Sequence, residues 1–246
     1  MNINKIPKFF INLKKREDRL KHIQKEMEYM GWDYELFEAV DVGSYVGCTL
    51  SHLNILNIAK QRNYESVLII EDDCSFMPYA KSFIDKIEKE SNDFEYGICN
   101  LAPTLNRPVL GNDKNPLFID ITNLPEKNEN HRDIFATNMI IYHNSIYDDV
   151  FHITGTTYGS PNYYPIDEFN FKFIVSKKQS YCPILPIAPQ MASWSDVSQG
   201  MYSNFYTQTY NWNLYNPFKI PAEFMDFGRN QEIKEEKIHK DFYYVN

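Results

Sequence analysis

The sequence predicts an α/β fold, a doubly wound sheet with helices on both faces. Two stretches carry that prediction. Residues 8–40 read as strand–helix–strand, and Ser66–Ser75 (SVLIIEDDCS) sends the apolar run Val67–Ile70 straight into Glu71, Asp72 and Asp73. A short, largely β-branched run reads as a strand buried on both faces, as in a parallel sheet. In open α/β sheets, ligands bind outside the carboxyl ends of strands, so the fold sets three acids where a ligand would sit. Adjacent carboxylates repel one another, and a divalent cation commonly offsets that cost. Along an extended chain alternate side chains share a face, which points Glu71 and Asp73 one way and Asp72 the other. Oxygen-only ligands suit magnesium or manganese, which bridge to substrate phosphates. A solvated acidic turn closing the strand is the alternative.

The other elements follow in order. Lys8–Leu13 is the first strand. Leu20, Ile23, Met27 and Met30 keep helical spacing after it, and Gly31 is the stop. Asp33–Val40 is the second strand. Arg16 and Arg19 lie just past the first strand, where a phosphate could approach; a basic, solvated helix face is the other reading. Gly43–Gly47 reads as a turn before a helix over Thr49–Gln61, with Ser51 and His52 in its first turn. A helix N-terminus suits phosphate, whereas a lone histidine in such a helix is more often packed and satisfied. Pro78 opens a helix over Tyr79–Glu90 with Phe83, Ile84 and Ile87 inward. Tyr96–Leu101 is a further strand. Ala102–His131 has no clear period, which marks a lid, an acceptor-binding loop or disorder.

Strand character returns over Asp133–Tyr142, then a short helix over Asn144–Phe151 and a loop over Thr154–Tyr164. Pro165–Ile174 starts a helix with Asp167 and Glu168 in its first turn, where acids also cap favourably. Tyr181–Ala188 is interrupted by proline and therefore expected at a sheet edge. Residues 1–200 are expected to form one domain, with 201–246 an aromatic and charged extension packing on it.

The 246 residues suit one α/β domain with an extension. A net charge of −8 argues against general nucleic-acid binding. No apolar run is long enough to span a bilayer as a helix, and no signal region opens the chain, so a cytoplasmic location is expected. Cys48, Cys74, Cys99 and Cys182 show no CxxC pair and no Cys/His zinc spacing, and read as reduced, mostly buried thiols. There is no GxGxxG fingerprint, Walker loop, GxSxG elbow or HExxH. What remains is a carboxylate cluster at a strand end and a second acidic site at Asp167 and Glu168. That pairing fits transfer from a phosphorylated donor, with a metal neutralising a diphosphate leaving group and a separate carboxylate deprotonating an incoming hydroxyl.

Six segments in order resemble glycosyltransferase family 25, which includes bacterial lipooligosaccharide and collagen galactosyltransferases. They are FFINLKKREDRL (Phe9–Leu20), GCTLSH (Gly47–His52), LIIEDD (Leu68–Asp73), ATNMIIY (Ala136–Tyr142), PIDEF (Pro165–Phe169) and PIAPQMASWSD (Pro186–Asp196). The resemblance implies a GT-A-like, Rossmann-like fold with a mixed, mostly parallel sheet flanked by helices. It implies inverting transfer of a hexose, galactose or glucose, from a UDP-sugar to a hydroxyl, with Mn²⁺ or Mg²⁺. The acceptor would be a glycan or glycoprotein, a collagen-like hydroxylysine included. In the implied roles, Asp73 holds the metal with help from Glu71 or Asp72. Asn12, Arg16 and Arg19 lie near the nucleotide, Ser51 and His52 shape the donor site, and Asp72 belongs with them. Asp167 is the base, with Glu168 as its rival, and Asp196 completes the metal or acceptor site. The sequence departs from the usual Asp-x-Asp in having Glu71 first. A single-domain bacterial or viral arrangement is the closer fit. The competing readings are a non-catalytic module that binds a sugar nucleotide or glycan, and a magnesium-dependent phosphotransferase, for which no nucleophile motif is present.

Overall fold

The computed structural model describes residues 1–91, 95–105, 117–122, 134–157, 165–175, 178–185, 187–191, 193–196 and 200–202. The chain opens with β1 (Lys8–Asn12), α1 (Glu17–Met30), β2 (Glu35–Glu38), α2 (Tyr45–Gln61), β3 (Ser66–Glu71), α3 (Ala80–Glu90) and β4 (Ile98–Asn100). It continues through β5 (Thr104–Leu105), β6 (Phe118–Asp120), β7 (Ile134–Phe135), β8 (Met139–His143), α4 (Tyr147–Thr157) and α5 (Ile166–Phe169). The last described elements are β9 (Ser180–Pro183), β10 (Ser193–Ser195) and β11 (Gly200–Tyr202).

Seven strands form one sheet in the order β2-β1-β3-β8-β4-β9-β6. The pairs β1–β2, β1–β3 and β4–β9 are parallel, while β8 is antiparallel to both β3 and β4, and β6 to β9. Five strands therefore run one way and β8 and β6 the other. This is the expected mixed, mostly parallel sheet.

Alternation along the buried strands feeds two cores. Phe10, Leu68 and Ile70 join Ile23 and Met27 of α1 and Phe83, Ile84 and Ile87 of α3 on one face. Phe9, Ile11, Val67 and Ile69 join Ile55, Leu56 and Ala59 of α2 and Val150 of α4 on the other. α1 stops where Gly31 takes φ +72 and its N–H bonds back to Met27 O at 2.9 Å, a left-handed cap that glycine adopts without a Cβ penalty. β1 and β3 thus end side by side on a rim that α2 also reaches.

Several boundaries differ from expectation. α2 begins at Tyr45, because Ser44 Oγ accepts from Val46 N–H at 3.2 Å as an N-cap. Gly47 lies inside this helix, and a Cβ there would stand 2.2 Å from Val40 O, so its role is close approach rather than a turn. Ser51 and His52 accordingly sit in the second turn of α2, not its first. α4 runs on to Thr157, past the loop expected from Thr154. The helix expected over Pro165–Ile174 has four α-helical residues and then π-type turns over Asn170–Val175. β9 is an inner strand, flanked by β4 and β6. Its Pro183 lies past the last register pair with β4, Cys99–Tyr181, so no ladder bond is lost there. β11 spans the 200/201 boundary. The rest of the C-terminal extension, and most of Ala102–His131, fall outside the described residues.

Candidate active site

A cavity of about 430 Å³ opens at the carboxyl ends of β1 and β3. Arg19, Glu71, Asp72, Asp73, Asp167 and Asp196 all reach its lining, with Cys48, Thr137 and Gln190 beside them. Another hollow, of about 1270 Å³, lies at the opposite, amino ends of the strands around Lys5, Ser66 and Gly97 and carries none of these acids.

The three acids do not alternate as expected. β3 ends at Glu71, and Asp72 and Asp73 lie in the turn beyond it, so strand geometry no longer governs them. Asp72 and Asp73 share one cation: Arg19 Nη1 is 2.8 Å from Asp72 Oδ1 and 3.2 Å from Asp73 Oδ2. Asn12 Nδ2 donates to Asp72 Oδ2 at 2.7 Å, and Gln190 Nε2 donates to Asp73 Oδ2 at 2.8 Å. Both aspartates are buried, at 6% and 3% exposure, which rules out the solvated turn. Glu71 turns instead toward α2 and the segment before β8. Its Oε1 accepts from Thr137 Oγ1 at 2.9 Å and lies 3.3 Å from His52 Nε2 and 3.7 Å from Cys48 Sγ.

These surroundings set the charges. Burial pushes Asp73 up to about 7, the neighbouring charges of Glu71 and Asp72 add to it, and Arg19 and Gln190 act against it. Burial also raises Asp72, against the charge and hydrogen bond of Arg19. For Glu71 burial pulls upward too, but His52, Thr137 and Cys48 outweigh it and hold the carboxyl below its ordinary value. Burial and the charge of Glu71 push the Cys48 thiol well up.

The remaining candidates divide between cavity and support. Asp167 reaches the cavity from the start of α5. Its Oδ2 accepts from Ala136 N–H at 3.2 Å, and its Oδ1 from the N–H of Glu168 at 2.8 Å. Ala136 holds φ +71, a left-handed conformation costly for a residue with a Cβ, and Asn100 Nδ2 secures its carbonyl at 2.7 Å. Asp196 is paired with Arg16 Nη1 at 2.7 Å. Arg16 also bonds Asp18 and Trp194 O, and Arg19 Nη2 bonds Ser193 Oγ and Trp194 O. The two arginines therefore tie β10 to the start of α1 instead of forming a solvated basic face. Asn12 and Ser51 stand behind the lining. Ser51 Oγ donates to Gly47 O at 2.7 Å and accepts from Val40 N–H at 2.9 Å, which docks α2 on the end of β2. His52 is fully buried. Glu168 follows Asp167 on α5 but does not join it in the described lining.

Sequence reasoning missed Cys48, Thr137 and Gln190. Thr137 and Gln190 lie inside the quoted ATNMIIY and PIAPQMASWSD segments. Cys48 and His52 are four apart, and residues four apart share a helix face, so a Cys/His pair was present after all. With Glu71 they bring one sulfur, one nitrogen and one oxygen ligand atom within 4.8 Å of one another, a possible metal site. The Asp72–Asp73 pair also suits a cation, because Asp73 Oδ1 is buried without a hydrogen-bond partner.

The cavity residues from Gly43 to Asp73 fall within a segment that matches a known family model. Residues 42–115 match the family model described as glycosyltransferase family 25 (LPS biosynthesis protein). The match supports the family that the six motifs resemble and, with it, a glycosyltransferase. No curated protein matches the chain. Among solved structures, it is similar to a glycosyltransferase involved in the glycosylation of the major capsid of PBCV-1, at 13% identity and TM-score 0.45, over 72% of this chain and 80% of that one. It is also similar to a putative glucose-1-phosphate thymidylyltransferase from Bacillus anthracis in complex with a sucrose, at 10% identity and TM-score 0.39, over 71% of this chain and 65% of that one.

Proposed function

We propose that this chain transfers a hexose, galactose or glucose, from a UDP-sugar to a hydroxyl of a glycan or glycoprotein acceptor, with inversion at the anomeric carbon. The observation that carries this reading is the shared cavity, which has the Asp72–Asp73 pair on one wall and Asp167 on another. Asp73, with Asp72, would hold Mn²⁺ or Mg²⁺, and the unpartnered Oδ1 of Asp73 supports that fit. When bound, the ion supplies charge neutralisation for the diphosphate leaving group. Arg19 adds a fixed positive charge beside the same carboxylates.

Asp167 is the base. Transfer is one displacement: the acceptor oxygen bonds to the anomeric carbon as its proton passes to Asp167, and the bond to the diphosphate oxygen breaks with its electron pair leaving on UDP. The two N–H groups that bond Asp167 hold its carboxylate in one orientation, and its place in the lining supports it over Glu168. The arginine ties favour a structural role for Asp196, keeping β10 against the mouth of the cavity.

The test is UDP release from a panel of UDP-sugars, with manganese and with chelator. Manganese-dependent release from one donor is the expected result. Asp167→Asn should cut transfer by about 10²–10⁴-fold, the range a positioned base supplies, with donor affinity retained. A donor that binds in calorimetry but is never turned over, with any acceptor, would favour the sugar-nucleotide-binding module.

A further inference from the structure

We propose that Cys48, His52 and Glu71 form a zinc-class metal site, separate from the Asp72–Asp73 pair, whose open position faces the cavity. The three side chains are already gathered, with their ligand atoms all within 4.8 Å of one another. A tetrahedral centre with bonds of about 2.0 Å to nitrogen and oxygen and about 2.3 Å to sulfur holds its ligand atoms roughly 3.3–3.6 Å apart. His52 Nε2 and Cys48 Sγ lie 3.3 and 3.7 Å from Glu71 Oε1. Those two distances match that spacing, and an ion would draw the remaining Cys48–His52 pair to it.

The donor chemistry selects the ion. Thiolate and imidazole suit zinc and its neighbours, whereas magnesium and calcium take oxygen sets. Three protein ligands with a free position is also the arrangement of catalytic rather than structural zinc. Cys48 and Glu71 both reach the cavity lining, so the free position is on the substrate side. Thr137 Oγ1, 2.9 Å from Glu71 Oε1, is the outer partner that orients the carboxylate. On binding, the Cys48 thiol gives its proton to solvent. The thiolate and carboxylate then balance the 2+ charge of the ion.

Cobalt(II) is the probe, added to the metal-free full-length protein under a non-thiol reductant. The expected signal is one equivalent of cobalt giving a near-ultraviolet thiolate-to-cobalt charge-transfer band that zinc abolishes and magnesium does not. Cys48→Ser should lose the band and Asp73→Asn should keep it. Thr137→Ala should keep the band and weaken cobalt by about 10-fold or more, the cost of an outer-shell partner. In the unsubstituted protein, zinc and not magnesium should shield Cys48 from alkylation, a readout that needs no variant to fold. No cobalt binding, binding without the band, a band that survives Cys48→Ser or is lost in Asp73→Asn, or alkylation of Cys48 unaffected by zinc would each overturn the proposal. None of these readouts requires sugar transfer, so failure of the transferase reading would leave them unchanged.

Discussion

Glu71 and Asp73 are two residues apart on one wall of one cavity. Burial raises both, yet the outcomes are opposite: Glu71 lies below its ordinary pKa and Asp73 is pushed up to about 7. The difference lies in their partners. Three side chains converge on Glu71 Oε1, and one of them is an imidazole. Asp73 shares Arg19 with Asp72, receives Gln190 Nε2, leaves Oδ1 without a partner and faces the charges of Glu71 and Asp72. Buried carboxylates in one cluster thus differ according to which donors and which like charges reach each of them.

The largest way to break this contrast is to remove the shared cation. Arg19→Met should cost about 3–5 kcal/mol in urea denaturation at pH 8, because it leaves two buried carboxylates uncompensated. The cost should shrink toward pH 5 as those carboxylates take up protons. A loss below about 1 kcal/mol at pH 8 would show that Arg19 does not set their charge.

Next come the two acids themselves, for which the signs are opposite. Asp73 has a folded pKa of about 7 against an ordinary 3.8. In metal-free protein its contribution is therefore full below pH 4 and is lost as pH rises through 7, at up to about 1.4 kcal/mol per pH unit. Asp73→Asn should remove that decline. For Glu71 the folded pKa is depressed, so its contribution is present above the ordinary value of 4.5 and lost as pH falls through the lowered one. Glu71→Gln should thus cost stability at pH 7 and little in strong acid, as stability curves across pH would show.

Smaller effects sharpen the picture. Thr137→Ala removes one donor from Glu71 and should cost about 1.5 kcal/mol at pH 7, the low end for a hydrogen bond to a charged group. Ala136→Gly relieves a positive φ but adds freedom to the unfolded chain. The two should nearly cancel, leaving a change below about 0.5 kcal/mol in thermal unfolding.

The first half of the sheet was legible because its signals are local. The spacing of Ile23, Met27 and Met30, the stop at Gly31 and the buried run of β3 each lie within one element. The acid cluster was found by its place at a strand end. Its internal directions were not, because period-two reasoning holds only within the strand and Asp72 lies one residue beyond it. Ser51 and His52 were set one turn too early because Gly47 reads as a turn residue. Only the approach of Val40 O explains a glycine inside that helix. The Glu71 partners come from α2 and from the segment before β8, contacts across 19 to 66 residues that no local pattern carries. Proline suggested an edge for β9, but what matters is which side of the strand still needs its N–H.

The reversed direction of β8 has a consequence for how such a chain can diverge. β4 leaves the sheet at the cavity rim, and β8, running the other way, re-enters from that same rim. The chain between them starts and finishes at that rim. Lengthening a loop adds a closure cost that grows only slowly with its length. Insertions next to these two rim ends would leave strand order and the Asp72–Asp73 turn intact while reshaping what the cavity admits. What the cavity admits can therefore change through this crossing, with the half that carries the acid cluster inherited unchanged.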